Sequence, residues 1–208
     1  FDLITAAYAA AHKPLLWEDF LDALLDAGEF GAVAVGYRPD VHEPWINGFL
    51  RGPSEEAIED FFARAIPDDP LAPLGKKTAP GPFLAHGNRI VAPEVFTSTG
   101  YHDWMQQNGL TDVLVAGERY EDGAMVLLTA FCSSNKDIDA QLALLEQLSP
   151  HACHAVLLCQ EYVALTHQHR QALAAIEHAR FGCAVIGERG HIEWMNERGH
   201  RLLEQANC

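Results

Sequence analysis

The chain has 208 residues, is 49% hydrophobic and carries a formal charge of −15, the profile of a globular protein able to bury one substantial core over one to two domains. Residues 1–150 hold 9 basic and 23 acidic residues against 5 and 6 in 151–208; nucleic-acid affinity rests on Lys and Arg neutralising phosphates, so the front part is expected to repel DNA. No apolar run reaches the ~18–20 residues of a membrane span and the start lacks the basic residues and unbroken apolar run of a signal peptide, so no membrane partner and a cytoplasmic location are expected.

Leu3, Ile4, Ala7, Tyr8 and Ala11 mark a first helix. Pro14 opens a second, with Leu16, Phe20, Leu21, Leu24 and Leu25 on one face and Gly28 at its end. Phe30 to Tyr37 reads as a strand, Arg38-Pro39-Asp40 as a turn, and Val41 to Leu50 as a weaker partner strand that Pro44 confines to a sheet edge. Ser54 caps a helix with Glu55 and Glu56 in its first turn and Ile58, Phe61 and Phe62 turned inward. Proline and glycine dominate from Pro67 to Gly87, a loop of about 20 residues, the length at which loops act as lids or mobile segments. A short strand at Arg89 to Val91 and a helical turn near Glu94 lead to an amphipathic helix, Tyr101 to Leu110, stopped by Gly109.

Asp112 to Arg119 and Ala124 to Phe131 then form a hairpin around Glu121-Asp122-Gly123. Ser134, three residues before Asp137, is a capping-box variant opening a helix in which Ile138, Leu142, Leu145 and Leu148 repeat at helical spacing. The helix continues past Pro150 to about Arg180, and Ala155, Cys159, Tyr162, Leu165, Leu173 and Ile176 give it an apolar stripe. That stripe fits a coiled-coil-like dimer helix or a helix folded back on its own domain. Phe181 to Ile186, a turn at Glu188-Arg189-Gly190, His191 to Met195 and a helix opened by Asn196 resemble the first elements of a PAS domain, which implies either a truncated second domain or a stub recruited into a dimer.

Catalytic machinery is not expected: the chain has no G-x-S-x-G, H-E-x-x-H, phosphate-cradling glycine loop or G-x-G-x-x-G. Five cysteines, Cys132, Cys153, Cys159, Cys183 and Cys208, form neither an even set nor a C-x-x-C pair, so no disulfide framework is expected; Cys153 and Cys159 read as small buried apolar groups, and an exposed cysteine would be open to redox chemistry. Seven of the 11 histidines lie at or after His151, but His151 and His154 on one helical face supply only two ligands, so no metal and no cofactor are expected.

The Trp104 helix with its Gly109-Leu110 stop, the hairpin after it, and the helix running from Leu144-Leu145 to Leu148-Ser149-Pro150-His151 resemble, in order and residue type, the sensory region of LuxR-type transcriptional regulators, over about residues 1 to 180. The resemblance implies an α/β (α+β) fold: a GAF-like antiparallel sheet flanked by helices, with a long C-terminal helix. It implies a sensory domain over 1–150, a connecting and dimerisation helix over 151–180 and a truncated PAS-like segment over 181–208. The function it implies is ligand sensing by a homodimer that meets DNA only through a C-terminal domain outside these residues. The chain opens on Phe1 and is read as a processed or partial chain.

Within that family, acyl-homoserine-lactone receptors carry Asp-Pro after a helix bearing Trp and Tyr, and a pocket Trp farther on. Asp69-Pro70 matches the first element, but Glu56 and Asp60 stand where the helix Trp and Tyr are expected and Phe83-Leu84 near the later Trp, which counts against that lactone. A small apolar or amphipathic ligand is expected between the sheet and the 67–87 loop, with Asp69 bonded to its amide or hydroxyl inside an aromatic pocket of Phe62, Phe83, Tyr101 and Trp104. The alternative makes Asp69 a turn residue and the aromatics core, leaving a ligand-free interaction module.

Overall fold

The computed structural model describes residues 2–40, 42, 47–73, 78–134 and 137–206, which form two compact units, Phe1–Cys159 and Gln160–Cys208. The first unit is built on a five-stranded antiparallel sheet of β1 (Ala32–Arg38), β2 (Asn47–Arg51), β3 (Gly81–His86), β4 (Asp112–Arg119) and β5 (Met125–Cys132), in the order β2-β1-β5-β4-β3. The expected hairpin is β4–β5, closed by a tight turn in which Tyr120 pairs with Ala124 and Gly123 takes φ 95°. β2 is an edge strand as expected, although Pro44 lies outside the described residues.

One sheet face carries Val33, Val35, Leu114, Val126, Leu128 and Ala130 against α1 (Leu3–His12), α2 (Leu16–Gly28) and the first half of α7 (Ile138–Glu177). Asp2 caps α1, accepting the Ile4 N–H at 3.1 Å. Leu21 and Leu24 of α2 and Leu145 of α7 are fully buried, each worth about 1.5–3 kcal/mol relative to exposure. Gly28 does not make the left-handed stop of α2; Glu29 does, at φ 50°. Gly28 is there for space: a Cβ would sit 2.0 Å from a Phe30 ring carbon. α7 begins at Ile138 after Asp137 (φ 56°), later than the Ser134 capping spacing predicts. It runs through Pro150 because that residue is exposed, so water can take the carbonyl that the missing N–H leaves unpaired.

The other face carries α3 (Glu55–Asp60), α4 (Gly87–Ile90), α5 (Pro93–Phe96) and α6 (Gly100–Gln107). Ser54 caps α3 as expected, accepting the Ala57 N–H at 3.3 Å. α3 then widens into a π-helical stretch, Phe61–Ala65, and ends in a 3-10 turn, Ile66–Asp68. Two expectations are corrected here. The 67–87 loop contains the whole of β3, and Arg89 to Val91 is not a strand, since α4 runs through Ile90. Pro82 masked β3; it is tolerated because β3 is an edge strand paired only with β4.

In the second unit, β6 (Ala184–Ile186) pairs antiparallel with β7 (Ile192–Met195), followed by α8 (Glu197–Ala206). α7 ends at Glu177 rather than Arg180. Asn196, fully buried, is the hub of this unit. Its Oδ1 accepts the N–H groups of Cys183 and Gly199 at 2.9 and 2.8 Å, and its Nδ2 donates to the carbonyls of Ile176 and Phe181 at 3.0 and 2.9 Å. The side chain thus uses both its donors and both acceptor directions. Contrary to the sequence reading, α7 is long and apolar enough, by length and composition alone, to cross a membrane. Its buried residues, among them Leu148, Ala152 and Val156, pack into the core of the first unit.

Candidate functional site

The face opposite α1, α2 and α7 is built of cross-strand rungs of unequal bulk. At one end, Ala32, Phe131 and Val113 lie side by side under an aromatic plug. Phe131 meets Phe61 and Trp104 edge-on, with ring centres 5.9 and 5.4 Å apart. The next rungs shrink to Ala34–Thr129–Val115–Ala85 and Gly36–Leu127–Gly117–Phe83, and the last is Arg38–Met125–Arg119. Over these lies a cavity of about 250 Å³. Val115, Met125, Leu127 and Thr129 form its floor and Phe83 and Ala85 of β3 one wall. Asp69, Leu71, Thr78, Ile90 and Tyr101 line the rest, with Arg38. A smaller hollow of about 50 Å³, bounded by Gly36, Gly48 and Phe62, shares Asp69 and Tyr101 with it.

The polar groups of this apolar space are unusual. Asp69 Oδ1 accepts the Leu71 N–H at 2.8 Å. Burial pushes its carboxyl up to about 6, against the downward pull of that hydrogen bond and of Arg38. Burial, reinforced by Asp69, raises the Tyr101 phenol well above its ordinary range. Arg38 is only 6% exposed; burial lowers its pKa, while Asp69 and Asp40 raise it and Arg119 lowers it. Its Nη2 lies 3.3 Å from Met125 Sδ. Arg119 donates through Nη1 to the Thr78 carbonyl, holding the lip of the cavity to β4.

Of the five residues expected to bind ligand, Asp69, Phe83 and Tyr101 line the cavity. Trp104 does not line it: its indole N–H donates to the Ala57 carbonyl at 2.8 Å and its ring lies 4.7 Å from that of Phe61. Phe62 is 41% exposed and borders the smaller hollow, not the larger cavity. The two phenylalanines expected to turn inward together are successive residues of a helical stretch and point in different directions, so that Phe61 is buried and Phe62 is not. Arg38 was missed because Arg38-Pro39-Asp40 has turn composition. Its pairing with Met125 sets it on the cavity face, and the one signal for it was its place at the end of the β1 strand pattern.

Elsewhere, Cys132 and Cys153 are buried, and burial pushes both thiols up to about 12. His86 Nε2 and the Asp112 carboxylate share a hydrogen bond that ties the end of β3 to the start of β4. His151 and His154 both face the Tyr8 hydroxyl, at 3.3 and 3.5 Å. Among the described residues no three His, Cys, Asp or Glu side chains converge as metal ligands.

No family model and no curated protein matches the sequence. Among solved structures the chain is similar to the ligand-binding (LBD) domain of VqsR from Pseudomonas aeruginosa, with TM-score 0.57 and 17% identity over 77% of this chain and 95% of that one. It is also similar to CepR2 from Burkholderia cenocepacia, an N-acylhomoserine-lactone-dependent LuxR family transcription factor, with TM-score 0.52 and 13% identity over 78% of this chain and 96% of that one. SdiA of Escherichia coli, in complex with octanoyl-rac-glycerol, matches at TM-score 0.50 and 12% identity over 76% of this chain and 60% of its own. At these identities the likeness is one of fold: the antiparallel sheet flanked by helices.

Proposed function

We propose that this chain is the ligand-sensing and dimerisation region of a LuxR-type transcriptional regulator, cytoplasmic, non-enzymatic and dependent on a DNA-binding part outside these residues. One observation carries the reading: an apolar cavity of about 250 Å³, holding Arg38, Asp69 and Tyr101, on the sheet face turned away from the core helices. The folds of the VqsR domain, of the lactone-dependent CepR2 and of the octanoyl-rac-glycerol complex support it. A route from occupancy to response exists in β5: Leu127 and Thr129 floor the cavity, while Leu128 and Ala130 between them pack in the core with α7. A ligand that favours one position of β5 shifts the populations of both faces by its differential affinity. A second reading, a ligand-free interaction module, draws on the plug of Phe61, Trp104 and Phe131, which fills part of the same face with the chain's own side chains.

Thermal shift of the wild type and of Ala85→Phe, which fills the cavity, distinguishes the two. Octanoyl-rac-glycerol and N-octanoyl homoserine lactone serve as probes. Saturable stabilisation of the wild type by either, lost in Ala85→Phe, supports the sensor. No stabilisation by any probe, with Ala85→Phe more stable than the wild type, supports the interaction module.

A further inference from the structure

Resting on the dimerisation half of the reading above and not on its sensing half, we infer that the β6–β7 hairpin joins two copies of this chain. Its face carrying Val185 and Trp194, with Ile186 and Ile192 beside them, stacks on the same face of a second copy about a two-fold axis. The inference begins with an imbalance in the unit Gln160–Cys208. Among its described residues the one buried side chain is polar, that of Asn196, while Phe181, Val185, Ile186 and Ile192 are 45–66% exposed.

The register of the hairpin says which face is bare. Val185 pairs with Trp194 and Ala184 with Met195, and successive strand residues point to opposite faces. The Met195 face is taken by α8, since a Cβ on Gly199 would lie 2.6 Å from Met195 Cγ. Val185 and Trp194 therefore point away from α8, and Ile186 and Ile192 pair next to them, beside the bulge. Each strand of this sheet is paired with the other alone among the described residues, and a two-stranded ribbon with one uncovered face is marginal in water.

Charge identifies the cover as a second copy. Residues 1–159 hold 9 basic and 23 acidic residues, net −14, whereas 160–208 hold 5 and 6, net −1. Surface from the first 159 residues of two copies repels at low salt, so this near-neutral apolar face is where like can meet like. An isologous contact uses one patch twice, and an uncharged apolar patch is its own complement. The exposed apolar area amounts to on the order of 500 Å² a copy and about 1,000 Å² in the pair, the size at which an interface becomes specific.

Analytical ultracentrifugation of the full chain between about 1 and 100 µM tests this. The wild type is expected at twice the mass of the chain. The double variant Val185→Glu, Ile186→Glu, which sets carboxylates of both copies against each other, is expected as a monomer. Leu15→Glu, at a position 86% exposed in the first unit, and Leu165→Glu, at one 64% exposed on α7, should remain dimeric. Slow hydrogen exchange at the amides of Cys183 and Gly199, both bonded to Asn196, shows that the unit is intact in the double variant. Should it not be, Val185→Thr with Ile186→Thr, which keeps strand propensity, is expected to weaken the dimer at least about tenfold. Raising salt from about 50 to about 500 mM screens the acidic surfaces and should leave the dimer as tight or tighter. A wild type that stays monomeric overturns the inference together with the dimerisation it rests on and leaves the face to another partner. A dimer that survives the hairpin variant with its unit intact, falls to Leu165→Glu, or loosens as salt rises overturns the inference alone.

Discussion

Replacing Asp69 by asparagine should stabilise the protein at neutral pH and do so by an amount that grows with pH. In the folded chain burial raises this carboxyl from 3.8 to about 6. A group whose folded pKa lies above its unfolded one contributes its stability in full below the unfolded value and loses it as pH rises through the folded one. The charged form at pH 7.5 therefore costs about 3 kcal/mol relative to the protonated form, from about 1.4 kcal/mol per pKa unit. At pH 4.5 the same linkage gives a cost of only about 1 kcal/mol. The amide of Asp69→Asn has no proton to lose and still offers an oxygen to the Leu71 N–H. Any fixed difference between the amide and the protonated carboxyl cancels when the two pH values are compared, so the gap should widen by about 2 kcal/mol between them. Urea denaturation followed by the fluorescence of Trp104, buried in the first unit, measures it at both pH values. A gap constant to within about 0.5 kcal/mol, or one that narrows as pH rises, would show that Asp69 is not a desolvated carboxyl and would refute the electrostatic account of the cavity.

Further outcomes follow from other contacts. Trp104→Phe keeps the aromatic plug but leaves the Ala57 carbonyl without its indole donor, so stability should fall by about 1 kcal/mol while probe affinity, read by thermal shift, stays unchanged. Asn196→Ala strips partners from four main-chain groups and should cost at least about 2 kcal/mol within the second unit, read as faster hydrogen exchange at the amides of Cys183 and Gly199. Gly28→Ala drives a methyl into the Phe30 ring and should cost about 1–3 kcal/mol by overpacking, read as a lower urea midpoint. Iodoacetamide at pH 8 should leave Cys132 and Cys153 unmodified in the native protein and label both in urea, since their thiols are buried and protonated; peptide mass mapping reads the result.

The sequence was most legible where local signals agreed. Ser54 before Glu55 and Glu56, Gly109 after the Trp104 helix, and two apolar runs around Glu121-Asp122-Gly123 each combine patterning with a residue suited to the stop or turn, and each element forms. Legibility failed where backbone chemistry and packing conflicted. Gly81 and Pro82 look like loop, yet β3 needs donors only toward β4, so a proline at the edge is tolerated. Phe61 and Phe62 are successive residues of a helical stretch and do not share a face, so one of them packs against Trp104 and Phe131 and the other does not; the residue types alone do not say which. The site was half legible for the same reason. Asp69, Phe83 and Tyr101 were visible as residue types, whereas Arg38 acquires its place only through its register opposite Met125.

The alternation of β5 has an evolutionary meaning. Odd positions such as Leu127 and Thr129 bound the hollow, and even positions such as Leu128 and Ala130 belong to the main core. Small side chains, Gly36, Ala34 and Ala85, lie on the first side. A lineage descending from this chain could therefore retune what it recognises one methyl group at a time, trading chemical taste at alternate positions while the foundation that keeps it folded is inherited untouched.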